Sequence, residues 1–162
     1  DARIHPSAPP VKSVTFTREM AVLALHGTGL GFQPGILAGA TSALSRRGIN
    51  IKSVLTSQTC ISLLLHPDDL NAASLLIERE AIAGVDHIEP ENGLALVALV
   101  GEGISERCGI VGRTFSAVAR CGINVRLVCA GASRAALYFI TARRDCERAV
   151  GAVHGEFWGD EK

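Results

Sequence analysis

The chain has 162 residues, 48% of them hydrophobic, so it is long enough to bury one large core or two small ones. Its 16 basic and 16 acidic side chains give a net charge of zero, which argues against electrostatic binding to nucleic acid or to an anionic membrane. Aromatic residues are only 4%, which disfavours a surface that stacks on bases. We therefore expect neither nucleic acid nor a membrane as a partner.

The cysteines and the absence of a leader indicate the cellular compartment. The five cysteines form no C-x-x-C pair, which disfavours a disulfide framework or a zinc ribbon and is typical of reduced thiols in the cytoplasm. No charged and then apolar leader opens the chain, and no apolar run reaches about 18 residues. We expect a cytoplasmic protein without a membrane span. Because the chain opens at Asp1, we also expect it to be part of a longer protein.

The predicted elements follow a proline-rich segment, residues 1–10, which is expected to be a tail or linker. Strands are predicted from β-branched and apolar runs, and helices from apolar residues at helical spacing. In chain order the predictions are strands 11–17 and 20–25, helix 35–47, strands 49–55 and 59–65, a helix that starts at 66–69 with Leu70, Ala73 and Ile77 on its buried side, strands 85–89 and 94–100, helix 109–120, strands 124–129 and 135–141, and helix 144–158.

One stretch of the chain, Gly27–Ser57, occurs twice. Gly101 lies 74 residues after Gly27, and the same spacing separates Lys52 from Arg126, with no gap between. Self-similarity at one fixed spacing indicates two copies of one structural unit. Any function should therefore follow from what that unit binds.

Counting strands predicts how the two copies are arranged. The first copy has the order strand-helix-strand-strand-helix-strand, whereas the second lacks its last strand and the chain has a spare strand at 11–17. Since an unfilled sheet edge is a liability, we expect residues 11–18 plus 93–158 to form one domain, with residues 19–92 inserted in it. The fold class is α+β, with two ferredoxin-like βαββαβ domains. Strands that are apolar on both sides predict that sheets pair side by side or pack against a partner.

The glycine-rich loops at 27–29 and 101–103 match neither G-x-G-x-x-G nor a P-loop. One interpretation is a tight strand-to-helix connection that requires unusual backbone angles. The other is an anion site, because a glycine loop before a helix exposes backbone N–H groups that can hold a carboxylate. The residue types alone leave both interpretations open.

Two polar pairs follow the helices of the repeat. Asn50 and Asn124 precede equivalent strands, where an asparagine either turns the backbone or contacts a ligand above the helix start. Lys52 and Arg126 follow two residues later, so each is expected to share a face with its asparagine. That face is either solvated or part of a site.

Neither a metal site nor a catalytic set is predicted. The histidines show no metal-ligand spacing and are His5, His26, His66, His87 and His154. No nucleophile, base and orienting group occur together in the sequence, so an enzyme made of this chain alone is not expected.

Several segments resemble a known family. The segments at 95–103, 122–126 (Gly-Ile-Asn-Val-Arg) and 137–140 (Leu-Tyr-Phe-Ile) resemble the second ACT domain of an aspartokinase. The first copy, including Thr-Ser-Gln-Thr-Cys-Ile-Ser-Leu at 56–63, resembles the first ACT domain of the same family. The resemblance covers about Val11–Phe157 and implies an allosteric role.

An aspartokinase phosphorylates the side-chain carboxylate of aspartate with ATP, in the synthesis of lysine, threonine and methionine. The kinase motif of the Lys-Phe-Gly-Gly-Thr-Ser type does not occur here, so the resemblance implies the carboxy-terminal regulatory region, with no cofactor of its own. ATP and Mg²⁺ belong to the kinase domain, which is an expected partner. The other expected partners are an amino-acid effector and a second copy of the chain, in a homodimer formed through ACT domains.

In this family the feedback amino acid binds between ACT domains. The resemblance places the effector-binding residues at Leu30, Gln33, Gly35, Ile36, Leu37, Asn50, Ile51, Lys52, Ser57 and Gln58, and a possible second site at Ile104, Gly109, Ile110, Asn124 and Arg126. Backbone N–H groups near Gly35 would hold the effector's carboxylate, and Asn50 or Gln58 its ammonium group. The effector is expected to be lysine or threonine. Lysine-inhibited members carry an acid where Lys52 stands, so the charge of Lys52 disfavours lysine unless its side chain swings away.

Two other functions are considered beside the sensing role. One is a structural module that dimerises kinase subunits without binding an effector. The other is a free-standing enzyme on a ferredoxin-like scaffold, which the missing catalytic set disfavours.

Overall fold

The computed structural model describes residues 11–159, so the predicted tail at residues 1–10 lies outside it. The described residues form six strands and four α-helices. In chain order these are β1 (Ser13–His26), α1 (Ile36–Arg46), β2 (Ser53–Thr56), β3 (Cys60–Leu65), α2 (Leu70–Glu80), β4 (His87–Val100), α3 (Ile110–Arg120), β5 (Val125–Cys129), β6 (Ala136–Ala142) and α4 (Cys146–Trp158). None of the described helices is long and apolar enough to cross a membrane.

The chain divides into two compact units. The first unit is Glu19–Leu94, and the second unit consists of the described residues up to Arg18 together with those from Ala95 onward. Neighbouring strands follow the order β2-β3-β1-β4 in the first unit and β1-β4-β6-β5 in the second. The pairings of β3 with β1 and β2, and of β5 with β6, are antiparallel. The prediction of an α+β chain with antiparallel strands and four helices is confirmed.

In the first unit, α1 and α2 cover one face of the strands. Alternate residues of a strand point to the same face, and Ala21, Leu23 and Leu25 of β1 are fully buried beneath these helices. The residues that the helices contribute are Ile36, Ala40, Ala43 and Leu44 from α1, and Leu70, Ala73 and Ile77 from α2. The predicted buried side of α2 is therefore confirmed.

Strand β3 is buried on both faces, as its continuous apolar sequence predicts. Leu63, Leu64 and Leu65 are each 0% exposed, although neighbouring side chains of a strand point to opposite faces. The prediction of two buried faces is only partly right for β4, where Val97 and Leu99 are buried while Leu96, Ala98 and Val100 are half-buried.

The second unit repeats this packing with an aliphatic and partly aromatic core. Phe139 of β6 is fully buried and meets Phe115 of α3 edge to face, with ring centroids 5.6 Å apart. Val11 is buried in the same cluster, and the backbone N–H of Lys12 donates to the carbonyl of Val100 at 2.7 Å. The start of the described chain is thus part of the second unit's core.

Two pairs of predicted strands are each one continuous strand in the structure. The predicted strands 11–17 and 20–25 are one strand, β1, because Arg18 and Glu19 between them are not turn-forming residues and the backbone stays extended. The predicted strands 85–89 and 94–100 are also one strand, β4. Gly93 adopts a positive φ of 70° inside β4. This glycine therefore marks an irregularity within the strand and not the end of a strand.

The glycine-rich loop of the first unit depends on a close backbone contact. A Cβ placed on Gly27 would lie 1.9 Å from the carbonyl oxygen of Gly84, which is far inside van der Waals contact. Gly84 itself has φ 89° in the loop that joins α2 to β4. The backbone of the loop after β1 therefore contacts the backbone of the loop before β4 directly, and only a residue without a Cβ permits this contact.

Gly27→Ala is expected to destabilise the protein by about 2 kcal/mol or more, because the added methyl group must displace backbone and not a flexible side chain. Chemical unfolding monitored by circular dichroism measures the change. Gly39→Ala in α1 is the matched control, since its Cβ would meet only Ile82 Cγ2 at 3.8 Å. Alanine there should stabilise the helix by about 0.5–1 kcal/mol. Equal effects of the two changes would contradict this account.

One carboxylate joins the two helices of the second unit. Glu156 of α4 accepts hydrogen bonds from Arg113 Nε at 2.9 Å and from Arg120 Nη2 at 2.6 Å, both on α3. Its side chain is 20% exposed, less than either arginine. The hydrogen bonds from Arg113 and then Arg120 hold the pKa of Glu156 below its usual range.

A lowered pKa in the folded state means that Glu156 stabilises the protein above its unfolded pKa, and that this contribution is lost as the pH falls through the folded value. Glu156→Gln should therefore lower the free energy of unfolding at pH 7. The difference from the wild type should shrink as the pH falls below about 4. Unfolding curves from pH 7 to pH 3 test this, and a difference that is constant with pH would refute it.

Candidate functional site

The glycine-rich loop is, in the structure, the whole connection from β1 to α1 (residues 27–35) and its equivalent from β4 to α3 (residues 101–109). In the first unit this loop rests on the turn between β2 and β3. The N–H of Gly31 donates to the carbonyl of Gln58 at 3.0 Å, and that of Gly27 donates to Thr59 at 3.1 Å. A Cβ on Gly31 would lie 3.0 Å from the Cα of Gln58, so the two backbones are in close contact. The structure thus brings this loop next to Ser57 and Gln58, which the family resemblance placed in one site with it.

The other side of the loop contacts the segment before β4. The N–H of Thr28 donates to Asp86 Oδ2 at 3.1 Å, and the N–H of Asp86 donates to the carbonyl of His26 at 2.7 Å. The side chain of Gln33 packs over Gly84, where a Cβ would lie only 2.7 Å from Gln33 Oε1. The loop is therefore held from both sides by hydrogen bonds and by glycine contacts.

The start of α1 is suited to an anion. Gly35, at φ 94°, precedes the helix, no side chain caps its N–H groups, and the first turn contains no acidic residue. The N–H groups of a first helical turn have no partner within the helix and carry partial positive charge. A carboxylate is the kind of group that such a terminus holds.

The predicted site residues near this helix start differ in exposure. Leu30 and Ile36 are 5% and 4% exposed and belong to the core of the first unit. Leu37 is 38% exposed, and Gln58 is exposed. Gln58 and Leu37 are thus open to a ligand, whereas Leu30 and Ile36 shape the loop from below.

The Ser57 side chain stabilises the turn in which it lies. Its Oγ accepts a hydrogen bond from the N–H of Cys60 at 3.0 Å, while its own N–H donates to the Cys60 carbonyl at 2.8 Å. This hydroxyl therefore fixes the turn, and it can bind a ligand only with its remaining hydrogen-bonding capacity.

Asn50, Ile51 and Lys52 lie at the other end of the strands. Lys52 Nζ donates to the carbonyl of Glu19 at 2.8 Å, near the start of the first unit's part of β1. Ala21 pairs with Leu65 at that end, whereas His26 pairs with Cys60 at the loop end. Five residues of β3 separate the two ends, which is about 17 Å of strand.

The prediction of a strand from 49 to 55 is therefore wrong in its first half. The strand β2 begins at Ser53, and the residues before it connect α1 to the sheet. Asn50 and Lys52 are exposed there, while Ile51 packs against the core. Within one copy of the chain, the structure does not bring these three residues to the glycine-rich loop.

Sequence reasoning missed three residues around this loop. Phe32 is 76% exposed, which is unusual for a phenylalanine, and it lies in the loop between Gly31 and Gln33. Gly84 and Asp86 approach from a segment far along the chain. Phe32 could have been singled out from the sequence, because it is an aromatic residue in a glycine-rich loop of a chain with few aromatics. Nothing in the sequence marks the other two residues.

The second copy has the same local geometry with a different surface. Gly109 precedes α3 at φ 86° with no side-chain cap, and Ile104 and Ile110 are buried. Here Glu106 of the glycine-rich loop forms an ion pair with Arg134 from the loop between β5 and β6. In the first copy the position equivalent to Glu106 is the uncharged Phe32.

The strand start in the second copy is also irregular. The carbonyl of Asn124 accepts a hydrogen bond from Thr141 Oγ1 at 2.9 Å. The pairing of β5 with β6 shifts register between Val125 and Leu127, so Arg126 is the extra residue of a bulge. Lys52 and Arg126 thus occupy equivalent positions in the sequence repeat, but the backbone conformation around them differs.

Comparison with known proteins identifies both halves of the repeat. Residues 15–78 and residues 97–157 each match the ACT domain family. The chain is 31% identical over 158 residues to lysine-sensitive aspartokinase 3 of Escherichia coli, an alignment that covers 93% of this chain. The chain spans about a third (34%) of the length of that relative.

Solved structures agree with the sequence comparison. The regulatory subunit of aspartate kinase from Thermus flavus superposes with a TM-score of 0.82 at 25% identity, covering 91% of this chain and 99% of that one. Aspartokinase III of E. coli in complex with lysine and aspartate has a TM-score of 0.78 at 30% identity, covering 96% of this chain and 35% of that one. The chain therefore belongs to the ACT domain family, with two ACT domains that correspond to the regulatory region of aspartokinases.

Proposed function

We propose that this ACT pair regulates an aspartate kinase by binding a feedback amino acid at the interface between two copies of the chain. The observation that carries the proposal is the convergence, at one end of the first unit, of the glycine-rich loop, the uncapped start of α1 and the turn at Ser57 and Gln58. The kinase activity, with ATP and Mg²⁺, belongs in this proposal to a separate domain of the whole protein.

We infer that the first ACT domain is inserted in the second. The division of the chain into Glu19–Leu94 and the flanking residues supports this arrangement. The burial of Val11 with Ala95, and the hydrogen bond from Lys12 to Val100, support it further. An inserted domain is joined to its host at both ends, so a change at its effector site is passed on through two covalent connections.

The split of the predicted site between two ends of the first unit favours a dimer. Strand β2 is an edge strand, with Asn50 and Lys52 before its start and Gln58 after its end. When two copies pair such edge strands antiparallel about a twofold axis, the start of one strand lies beside the end of the other. Asn50 and Lys52 of one copy would then complete the site at the partner's glycine-rich loop.

Exposed apolar side chains near the same edge support this pairing. Leu37 in the first turn of α1 is 38% exposed, and Val54 of β2 is 37% exposed. Val111 and Val128 stand 74 residues later and are also exposed, at 45% and 41%. Both units thus present an apolar helix start and an apolar edge strand, and we assign those of the first unit to this interface because they belong to the unit that carries the proposed effector site.

The effector in this proposal is lysine or threonine. Each has a carboxylate that suits the start of α1, and an ammonium group that suits the side-chain carbonyl of Gln58 or Asn50. Lys52 would repel the cationic end of lysine unless it stays on the Glu19 carbonyl, where its Nζ now donates. That contact directs the Lys52 charge away from the site, so lysine and threonine both remain candidate effectors.

The alternative function is a dimerisation module that binds no effector. The ion pair between Glu106 and Arg134 disfavours ligand binding at the second copy, because it places a charged pair on the loop equivalent to the one that holds the ligand in this proposal. We therefore assign sensing to the first copy alone, and under the alternative function neither copy senses.

Thermal unfolding with lysine, threonine, methionine and aspartate, each added alone, should show a raised midpoint with one of them. A ligand at about 100 times its dissociation constant adds about 2.7 kcal/mol to the free energy of unfolding. Asn50→Ala should abolish the rise, and Asn124→Ala, at the equivalent position of the second copy, should leave it unchanged. No rise with any of the four would favour the non-sensing module, and loss of the rise only in Asn124→Ala would move the site to the second copy.

Val54→Lys should convert the dimer to a monomer, because it places a charge in the middle of the paired edge. Sedimentation velocity measures the change. Val128→Lys is the matched control in the second unit and should leave the dimer intact. A wild-type monomer, or dissociation by Val128→Lys alone, would refute pairing through β2.

A further inference from the structure

Two histidines and a glutamate lie together where β1 ends and β4 begins, inside the first unit. His26 and His87 stack with ring centroids 4.7 Å apart and an angle of 9° between their planes. Glu89 Oε2 lies 3.2 Å from His26 Nε2. One side-chain ligand atom from each of the three residues lies within 4.8 Å of the other two. None of them belongs to the proposed effector site.

The His26 ring nitrogen in this cluster lacks a hydrogen bond. His26 Nε2 is shielded from solvent and has no hydrogen-bond partner among the described residues. Glu89 is near enough, but the direction between the two atoms does not suit a hydrogen bond. A shielded polar atom without a partner costs free energy, so its position beside a second imidazole and a carboxylate requires an explanation.

We propose that His26, His87 and Glu89 bind a divalent transition-metal ion of the zinc class. Neutral imidazole nitrogens and a carboxylate oxygen are ligands that zinc prefers, and nitrogen ligands disfavour Mg²⁺ and Ca²⁺. Zinc binds such atoms at about 2.0–2.2 Å, which separates neighbouring ligand atoms by about 3.4 Å. The separation of His26 Nε2 and Glu89 Oε2, 3.2 Å, is already close to this value, and all three ligand atoms lie within 4.8 Å of one another.

A small rearrangement brings the three groups onto one ion. Parallel rings direct their nitrogen lone pairs side by side, so the ring of His87 must rotate toward His26. His87 is exposed at the first position of β4, and the side chain of Glu89 is 70% exposed. His26 is the more fixed ligand, because its carbonyl is bound to the N–H of Asp86 and its side chain is 30% exposed. The exposed side chains of His87 and Glu89 would thus move toward the more fixed His26.

The strand positions bring the three side chains together. His26 is the last residue of β1, directly before Gly27, and His87 and Glu89 stand two residues apart on β4, so both point to one face. An ion here would link the end of β1 to the start of β4, beside the glycine contact. The geometry alone carries this proposal, which does not require the effector site.

The test titrates the whole chain with Zn²⁺ under reducing conditions and follows the imidazole nitrogens by ¹H–¹⁵N NMR. The signals of His26 and His87 should shift together and saturate at one equivalent, while those of His66 and His154 stay unchanged. Mg²⁺ at the same concentration should shift none of them. Unchanged His26 and His87 signals, equal shifts at His66 and His154, or a response to Mg²⁺ would each overturn the proposal.

Affinity measured by competition with a chromogenic chelator gives a second readout. His87→Gln and Glu89→Gln should each weaken Zn²⁺ binding by at least about 10-fold, since even partners of metal ligands contribute this much. His66→Gln is the matched control, because His66 also lies beside two carboxylates, Glu19 and Asp68, without a second imidazole. Equal losses in His66→Gln and His87→Gln would overturn the assignment. The NMR titration uses the wild-type chain and does not depend on the folding of any variant.

Discussion

The contact between Gly27 and Gly84 is the constraint on which the arrangement of the first unit's loops depends. At this point two backbones meet so closely that a single methyl group would lie 1.9 Å from a carbonyl oxygen. The contact holds the loop after β1 against the loop before β4, and the same loop is bound to the β2–β3 turn through Gly31. The start of α1, Gln58 and the histidine cluster take their positions from this arrangement.

The two copies of the repeat share this backbone but differ in their surface chemistry. Both helices start after a glycine at positive φ with no side-chain cap, so both could hold an anion. In the first copy the loop presents an exposed phenylalanine, whereas in the second copy the equivalent position is a glutamate paired with Arg134. Duplication thus conserves the conformation, which glycine dictates, while the neighbouring side chains decide what each copy can bind.

The effector site in our proposal is divided between the two ends of an edge strand. An edge strand leaves backbone N–H and C=O groups unpaired, so it is a natural place for a second copy to add its own strand. A ligand bound at such a junction contacts both copies and can favour one arrangement of the dimer over another. In our proposal this geometry is the physical route by which a small amino acid would change the relation between subunits.

Much of the fold could be predicted from the sequence because its signals are local. Gly35 and Gly109, the apolar spacing within each helix and the run from Leu63 to Leu65 fix the elements and their buried sides through backbone angles and burial. The boundaries were less accurate, since Gly93 lies inside β4 and Arg18–Glu19 continue β1. At Gly93 pairing with neighbouring strands outweighs the local preference, whereas Arg18–Glu19 stay extended because neither residue favours a turn.

The candidate site, like the fold, was predictable from the sequence only in part. The sequence by itself determined the repeat, the glycine-rich loops and the helix starts, because backbone conformation at a glycine is a local property. Only the tertiary structure decided that Asn50 and Lys52 lie a strand's length from Gln58, and that His26 lies against His87 and Glu89. Those distances depend on strand order and register, which bring together residues far apart in the chain and leave no trace in their spacing along it.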